Sequence, residues 1–478
     1  MCPASHPAGR AIGHLRSPKV HYRPGRRPEG SSRGTSCLST DYINAGQPPY
    51  AGTYHASVAE RAVRFRGIAI RKGGAMHRPG PSVLSRVFAA MAAGALLAGT
   101  TACGSVVSGE PTRLKPDLSG LNVGNYPTEP IHYGTAKDKK AARYREGQRL
   151  GDFVALPFEA DPTFVKGLGG MGGPVVLDRR DMQSLVINDT FDEIAPDLIA
   201  GWVHTWGTDG EAATSQQMSI AVLMFPNAAT AETVAGRLEH DDFTFNTDNR
   251  PVQLPKYPHS KAHWRPGVTS LGSWTSHDRY VVFVKYNDLS EKADLPSMVQ
   301  HTEAMLDVQM PLLDQFEPTP ADQLEGIQLD PDGVLALALP KSEQVVTMIG
   351  PSSTFRGRGA LHALGGLTSL EFLHKGQVSA IALAETVVME SRSATGAEEL
   401  FHFLGPNGTE MSEVETLATP PGIDNGNTEC FRRKDVQYAE SSSFCILQTG
   451  RYFAQVEGSQ IQDLHQKTAA QYALLANV

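Results

Sequence analysis

No apolar run in this chain reaches the length of a membrane span. The longest, Val87–Gly99, stops at about thirteen residues, where a spanning helix needs about twenty. Catalytic signatures are missing too. Beyond residue 75 there is no Gly-x-Ser-x-Gly elbow, no Ser-x-x-Lys and no His-Glu-x-x-His, so the familiar nucleophile and zinc-hydrolase patterns are excluded there. Gly30-Ser31-Ser32-Arg33-Gly34 fits the first only by composition, within a Gly/Ser-rich basic stretch. Cysteine is scarce, with five in 478 residues, and no second Cys/His pair stands at metal-ligand spacing to complete a site with His259 and His263. Tryptophan is scarcer still, with four, all between positions 202 and 274. No metal or cofactor is expected from this inventory.

What is present begins with "VFAAMAAGALLAGTTACGSVVSGEP" (87–111). Thirteen apolar residues suit the core of a secretory signal, which runs about 7–15. Arg78 and Arg86 precede it without a carboxylate, and the small pair Thr101-Ala102 leads to Cys103. The segment resembles a bacterial lipoprotein signal, in which Cys103 would be lipidated and become the mature N-terminus. It departs from that pattern at Thr100, where leucine is usual. A plain secretory signal, with Cys103 incidental, is the alternative.

Residues 1–75 hold twelve Lys and Arg against Glu29, Asp41 and Glu60, with much Gly, Pro and Ser and no apolar period. That composition cannot bury a core. Export signals stand at chain starts, so the segment is expected to be a mis-extension ahead of Met76, or else a disordered basic arm. From Cys103 onward there are 29 basic and 48 acidic side chains, a net charge of −19. Such a body repels phosphate backbones, so nucleic acid is not an expected partner. With Cys103 lipidated and Cys2 and Cys37 ahead of Met76, Cys430 and Cys445 remain. Exported thiols oxidise, so these two are expected to form a disulfide; two separate buried thiols are the other reading.

The organisation read from the chain is a signal at 76–102, a lipidated Cys and tether at 103–125, a first domain at 126–317, a Pro/Asp-rich linker at 318–333 and a second domain at 334–478. The two domains repeat one order. "SIAVLMF" (219–225) precedes a helix with Ala231, Val234, Ala235 and Leu238 on one face, and "ETVVMES" (385–391) precedes one with Ala397, Leu400, Phe401 and Leu404 at the same offsets. The strands "SLGSW" (270–274) and "RYVVFVKY" (279–286) correspond to "SFCILQ" (443–448) and "RYFAQVEG" (451–458). Each domain closes with an amphipathic helix, opened by Ser297 and Gln300 in one and Ser459 and Gln462 in the other, a capping-box pattern. The fold expected is α+β: two similar domains, each an antiparallel sheet with helices packed on one side.

At "LNVGNYPTEP" (121–130), "GQRLGDFVALPFEADPTF" (147–164) and the ending "CILQTGRYFAQVEG…DLHQKTAAQYALLAN" (445–477), the chain resembles an uncharacterised family of actinobacterial cell-envelope lipoproteins. It is loosely similar to the extracytoplasmic sensor domain of mycobacterial serine/threonine kinases. The resemblance implies a tethered location outside the membrane and two α+β halves. It implies no activity.

The remaining motifs have modest readings. "GLGGMGG" (167–173) is followed by Pro174 and a strand rather than a helix, so it reads as a turn and not a phosphate loop. "DPDG" (330–333) reads as a β-turn, and "YPHSKAHW" (257–264) as a surface loop. "GWVHTWG" (201–207) alternates Trp202, His204 and Trp206 onto one strand face. This is core packing or, alternatively, an aromatic wall for a ligand. "FRGRG" (355–359) reads as a solvated basic loop, or one that meets an anionic headgroup. The function these features favour is a non-enzymatic envelope module, anchored to the membrane by lipid, that binds an unidentified ligand or protein. An envelope hydrolase and a structural assembly protein are the alternatives.

Overall fold

The computed structural model describes residues 117–478, apart from 169–174, 183–184, 187–188, 211–214, 290–291, 293, 342–351, 406–407, 409–413, 424–426 and 435–442. The signal-like segment, Cys103 and most of the glycine run lie outside the described residues.

In the first half, α1 (Lys139–Gly151) and the single turn α2 (Pro157–Ala160) precede β1 (Phe164–Gly167) and β2 (Val175–Val176). Two further turns, α3 (Arg179–Met182) and α4 (Phe191–Ile194), lead to β3 (Ala200–Thr208) and β4 (Gln216–Met224). Helix α5 (Ala228–Thr244) follows, then β5 (Arg250–Val252), β6 (Lys261–Trp264), β7 (Ser270–His277), β8 (Tyr280–Asp288) and α6 (Leu295–Leu313). The second half runs β9 (Ser353–Phe355), α7 (Gly357–Leu364), α8 (Leu367–Lys375), β10 (Val378–Leu383), β11 (Val387–Ser391) and α9 (Ala394–Leu404). It ends with β12 (Val414–Leu417), β13 (Thr428–Arg433), β14 (Ser443–Thr449), β15 (Tyr452–Gly458) and α10 (Ile461–Ala476).

The halves share one topology. The first sheet is ordered β1-β3-β4-β8-β7-β6-β5, with β2 also paired to β3. The second, read from its opposite edge, is β9-β10-β11-β15-β14-β13-β12, so every strand of the main path has a counterpart. Among the described residues the strand pairings of both sheets are antiparallel. Helix α5 corresponds to α9 and α6 to α10. The α+β reading with two similar sheet domains therefore holds.

One detail differs. Helices cover both faces of each sheet, because the central strands are apolar on both sides. In the first sheet Ala221, Leu223, Val281 and Phe283 face α5, while Ile220, Val222, Val282 and Val284 face the core that holds α6. In the second, Ile446 and Phe453 share a core with α9, whereas Leu447, Ala454 and Val456 pack with α10. The α6 and α9 faces belong to one continuous core. The layers thus run α5, sheet, α6, then α9, sheet, α10: the repeats stack head to tail.

The caps also differ from expectation. Helix α6 starts at Leu295, because Asp294 accepts the Ser297 N–H at 3.4 Å and Pro296 is tolerated in a first turn. Gln460 precedes α10 without a side-chain cap bond, and Ile461 is exposed. Half of 257–264 is strand β6 rather than loop, and His263 Nδ1 lies 3.1 Å from Glu239. The 330–333 turn has its Gly333 N–H on Asp330 O at 3.3 Å, and Asp330 also accepts the Leu335 and Ala336 amides at 3.1 and 2.7 Å. Within 318–333, the Leu329 N–H donates to Gly134 O at 3.0 Å, so this stretch pairs with the chain ahead of α1. Cys430 and Cys445 are register partners on β13 and β14 and form a disulfide on the α10 face.

Candidate functional site

The repeats meet around α1, and its seat depends on two glycines one turn apart. A Cβ at Gly147 would lie 2.4 Å from Val175 Cγ1, and one at Gly151 would lie 2.7 Å from the Trp202 ring. Bare backbone at both positions lets α1 lie directly on β2 and β3. Asp138 caps the helix by accepting the Ala141 N–H at 2.8 Å.

The close approach buries polar side chains that α1 would otherwise show to water. Glu146 is fully buried and bonded to Arg149 at 2.7 Å, to the Thr319 amide at 2.7 Å and to its hydroxyl at 2.8 Å. Arg145 is buried as well. Its Nη1 donates to Gln148 Oε1 at 3.1 Å and to Thr354 O, on β9 of the second repeat, at 3.0 Å. Its Nε, and the buried Thr354 Oγ1, have no protein hydrogen-bond partner. Burial lowers the Arg145 pKa to about 10, so the guanidinium stays charged at neutral pH.

Further stitches join the repeats. Arg358 of α7 grips Glu159 with Nε at 3.0 Å and Nη2 at 2.8 Å, a bidentate pair. Asp152 accepts the Gly359 N–H at 3.4 Å, and His362 Nε2 lies 3.1 Å from Val154 O. Burial raises the Asp152 pKa, against the α7 amides and Arg358.

Two cavities open at this junction. A polar one of about 290 Å³ is lined by Arg145, Arg149, Asp152, Asp332, Thr354 and Arg356, among others. An apolar one of about 410 Å³ is lined by Phe158, Leu361, Leu370, Leu373 and Ile381, with Arg358 and Glu159 beside them. Phe355 and Arg356 line both, so the cavities adjoin. The "FRGRG" stretch is therefore not a solvated loop. Phe355 is buried, Gly357 opens α7, and the segment forms the wall between the cavities.

Trp202 and Trp206 do share a strand face with His204, but both indoles are fully buried and neither lines these cavities. They pack under them. Trp202 lies 6.0 Å from Phe355 and 5.7 Å from His362, which itself lies 5.2 Å from His204, all centroid to centroid. Neither His204 ring nitrogen has a protein partner, nor does His362 Nδ1. Burial drives the His204 pKa well down, with His362 adding to it, and burial lowers that of His362 to about 4.

Four histidines pair with carboxylates elsewhere: His277 with Asp314 at 2.6 Å, His263 with Glu239 at 3.1 Å, His301 with Asp161 at 3.3 Å and His402 with Glu398 at 4.0 Å. Among the described residues no hydroxyl or thiol bonds any of these imidazoles, and no three His, Cys, Asp or Glu side chains converge as metal ligands. The contribution of α1 was not legible in the sequence, because Arg145 sits in a helix that reads as polar and surface-bound. "FRGRG" was the one signal that pointed to the cleft.

Fold and site define a tandem of two like α+β repeats with a cleft between them. Residues 133–329 match the N-terminal domain, and 334–478 the C-terminal domain, of a family described as DUF7373, a domain of unknown function. The chain belongs to that family. No curated protein matches it. Among solved structures it is similar to the extracellular domain of PknH from Mycobacterium tuberculosis, at 12% identity over 35% of this chain and 97% of that one, with a TM-score of 0.25. A likeness of that size carries no argument about function.

Proposed function

We propose that the protein is a non-enzymatic binding module of the cell envelope, held on the outer face of the membrane by lipid on Cys103. Its ligand would sit in the cleft between the repeats. The observation that carries this reading is the junction itself. Two adjoining cavities are built from both repeats, beside buried polar atoms that the protein leaves without partners. Cavities of this size stand at or just above the lower end, roughly 300 Å³, of small-molecule sites. The signal-like segment ending at Cys103 supports the anchor. A hydrolase finds less support, since the His–carboxylate pairs among the described residues have no hydroxyl or thiol on the imidazole.

Mass spectrometry of small molecules that co-purify from the native membrane fraction tests the binding role. A molecule should accompany the wild-type protein and be lost from Leu370→Trp, which places an indole at the half-exposed rim of the apolar cavity. Equal recovery from both proteins, or none from either, contradicts the reading.

A further inference from the structure

We infer that the cleft takes an anionic amphiphile, with headgroup oxygens on Arg145 and Thr354 in the polar cavity and an apolar chain between Phe158, Leu361, Leu370 and Leu373 in the neighbouring one. The inference rests on the binding role proposed above and supplies its ligand class.

Charge at the cleft is the first ground. Three guanidiniums line the polar cavity, and two are already answered: Arg149 by Glu146 at 2.7 Å, and Arg356 by Asp332. Arg145 is only 8% exposed, yet its Nη1 donates to an amide oxygen and a carbonyl and not to a carboxylate. Asp152 shares the cavity, but its carboxylate is engaged by the N-terminus of α7. Arg145 thus has no hydrogen-bonded carboxylate among the described residues, and Asp330 and Glu146 act on it only through space. That arrangement is costly unless something else supplies the anion. A guanidinium offers a planar fork that suits carboxylate or phosphate oxygens. The Arg145 Nε–H and the Thr354 hydroxyl, both without protein partners and closed off from solvent, are donors that a small side-chain shift would turn toward a headgroup oxygen.

The apolar cavity is the second ground. Its charged pair, Arg358 and Glu159, is bidentate and self-contained, so neither group calls for a ligand charge. What remains is hydrocarbon wall, with Leu370 40% exposed at the rim. Because Phe355 and Arg356 wall both cavities, one molecule with an anionic end and an apolar tail would reach from one to the other across that wall. Carboxylate and phosphate heads share this chemistry.

Calorimetric titration of the full chain decides it, with monomeric oleate, oleoyl lysophosphatidate, oleyl alcohol and inorganic phosphate as probes. At least one anionic lipid should bind at least about tenfold tighter than the alcohol, the scale of a charge-assisted hydrogen-bond pair. Whichever of the two wins identifies the head as carboxylate or phosphate. Arg145→Gln should remove that preference while leaving alcohol binding unchanged, and Arg145→Lys should keep part of it. Should Arg145→Gln not fold, the four probes on the wild-type protein and on Leu370→Trp still decide. Alcohol binding as tight as both anions, phosphate binding as tight as lysophosphatidate, or a preference that survives Arg145→Gln would overturn the inference. If no probe binds while a cell-derived molecule is still lost from Leu370→Trp, this inference fails and the binding role stands.

Discussion

His204 and His362 are imidazoles kept neutral by burial, one from each repeat, and that sets a pH dependence. Both folded-state pKa values lie below the ordinary value of 6.5, that of His362 at about 4. The unfolded chain therefore binds protons that the folded one refuses. Stability is full above about pH 6.5 and falls as pH drops from there toward 4. His362 should cost roughly 1.5 kcal/mol between pH 6.5 and 5, and His204 adds to that loss. A neutral imidazole whose N–H has no protein partner contributes little to stability, so His204→Leu should be nearly neutral at pH 7. It should also reduce the acid sensitivity. Urea midpoints at pH 7 and 5 for both proteins check this; an unchanged pH slope in the variant would count against the pair.

Helix α1 is held by bare backbone at Gly147 and Gly151, not by an apolar stripe. Gly151→Ala would place a methyl on the fully buried Trp202 ring, which cannot turn aside in a packed core. The substitution should destabilise by about 1–3 kcal/mol in spite of alanine's better helix propensity, and thermal unfolding against wild type reads it. A stabilised variant would mean that α1 seats differently. Elements were legible where packing and local pattern agreed. The runs at 219–225, 279–286, 443–448 and 451–458 became central strands, and the faces of α5 and α9 lie where the apolar spacing put them. Short edge strands such as β5, β9 and β12 were not legible, since three or four residues carry too little pattern. Helix starts were misplaced because Asp294, a better acceptor just upstream, outcompeted Ser297. The cleft escaped detection because Arg145, Glu146 and Gln148 are buried by tertiary contact, which no local pattern announces.

Stacked head to tail, the repeats bury their facing surfaces in one core, from Val222 and Val282 of the first sheet to Ile446 and Phe453 of the second. Such a core should unfold as one unit. All four tryptophans lie in the first repeat, so their fluorescence reports that repeat and, through Trp202 against Phe355 and His362, its junction with the second. Denaturant unfolding followed by tryptophan emission should coincide with loss of amide protection in β14 and β15, while separated transitions would show independent domains. At this scale the remaining claim is the anchor, on which the exported location and the oxidising setting of the Cys430–Cys445 bond depend. Intact-mass and N-terminal peptide analysis of the protein from its native membrane fraction tests that claim most directly. The account requires a chain that begins at Cys103 and bears acyl groups on that residue. A chain that retains residues 87–102, or one that begins at Cys103 without lipid, would contradict it.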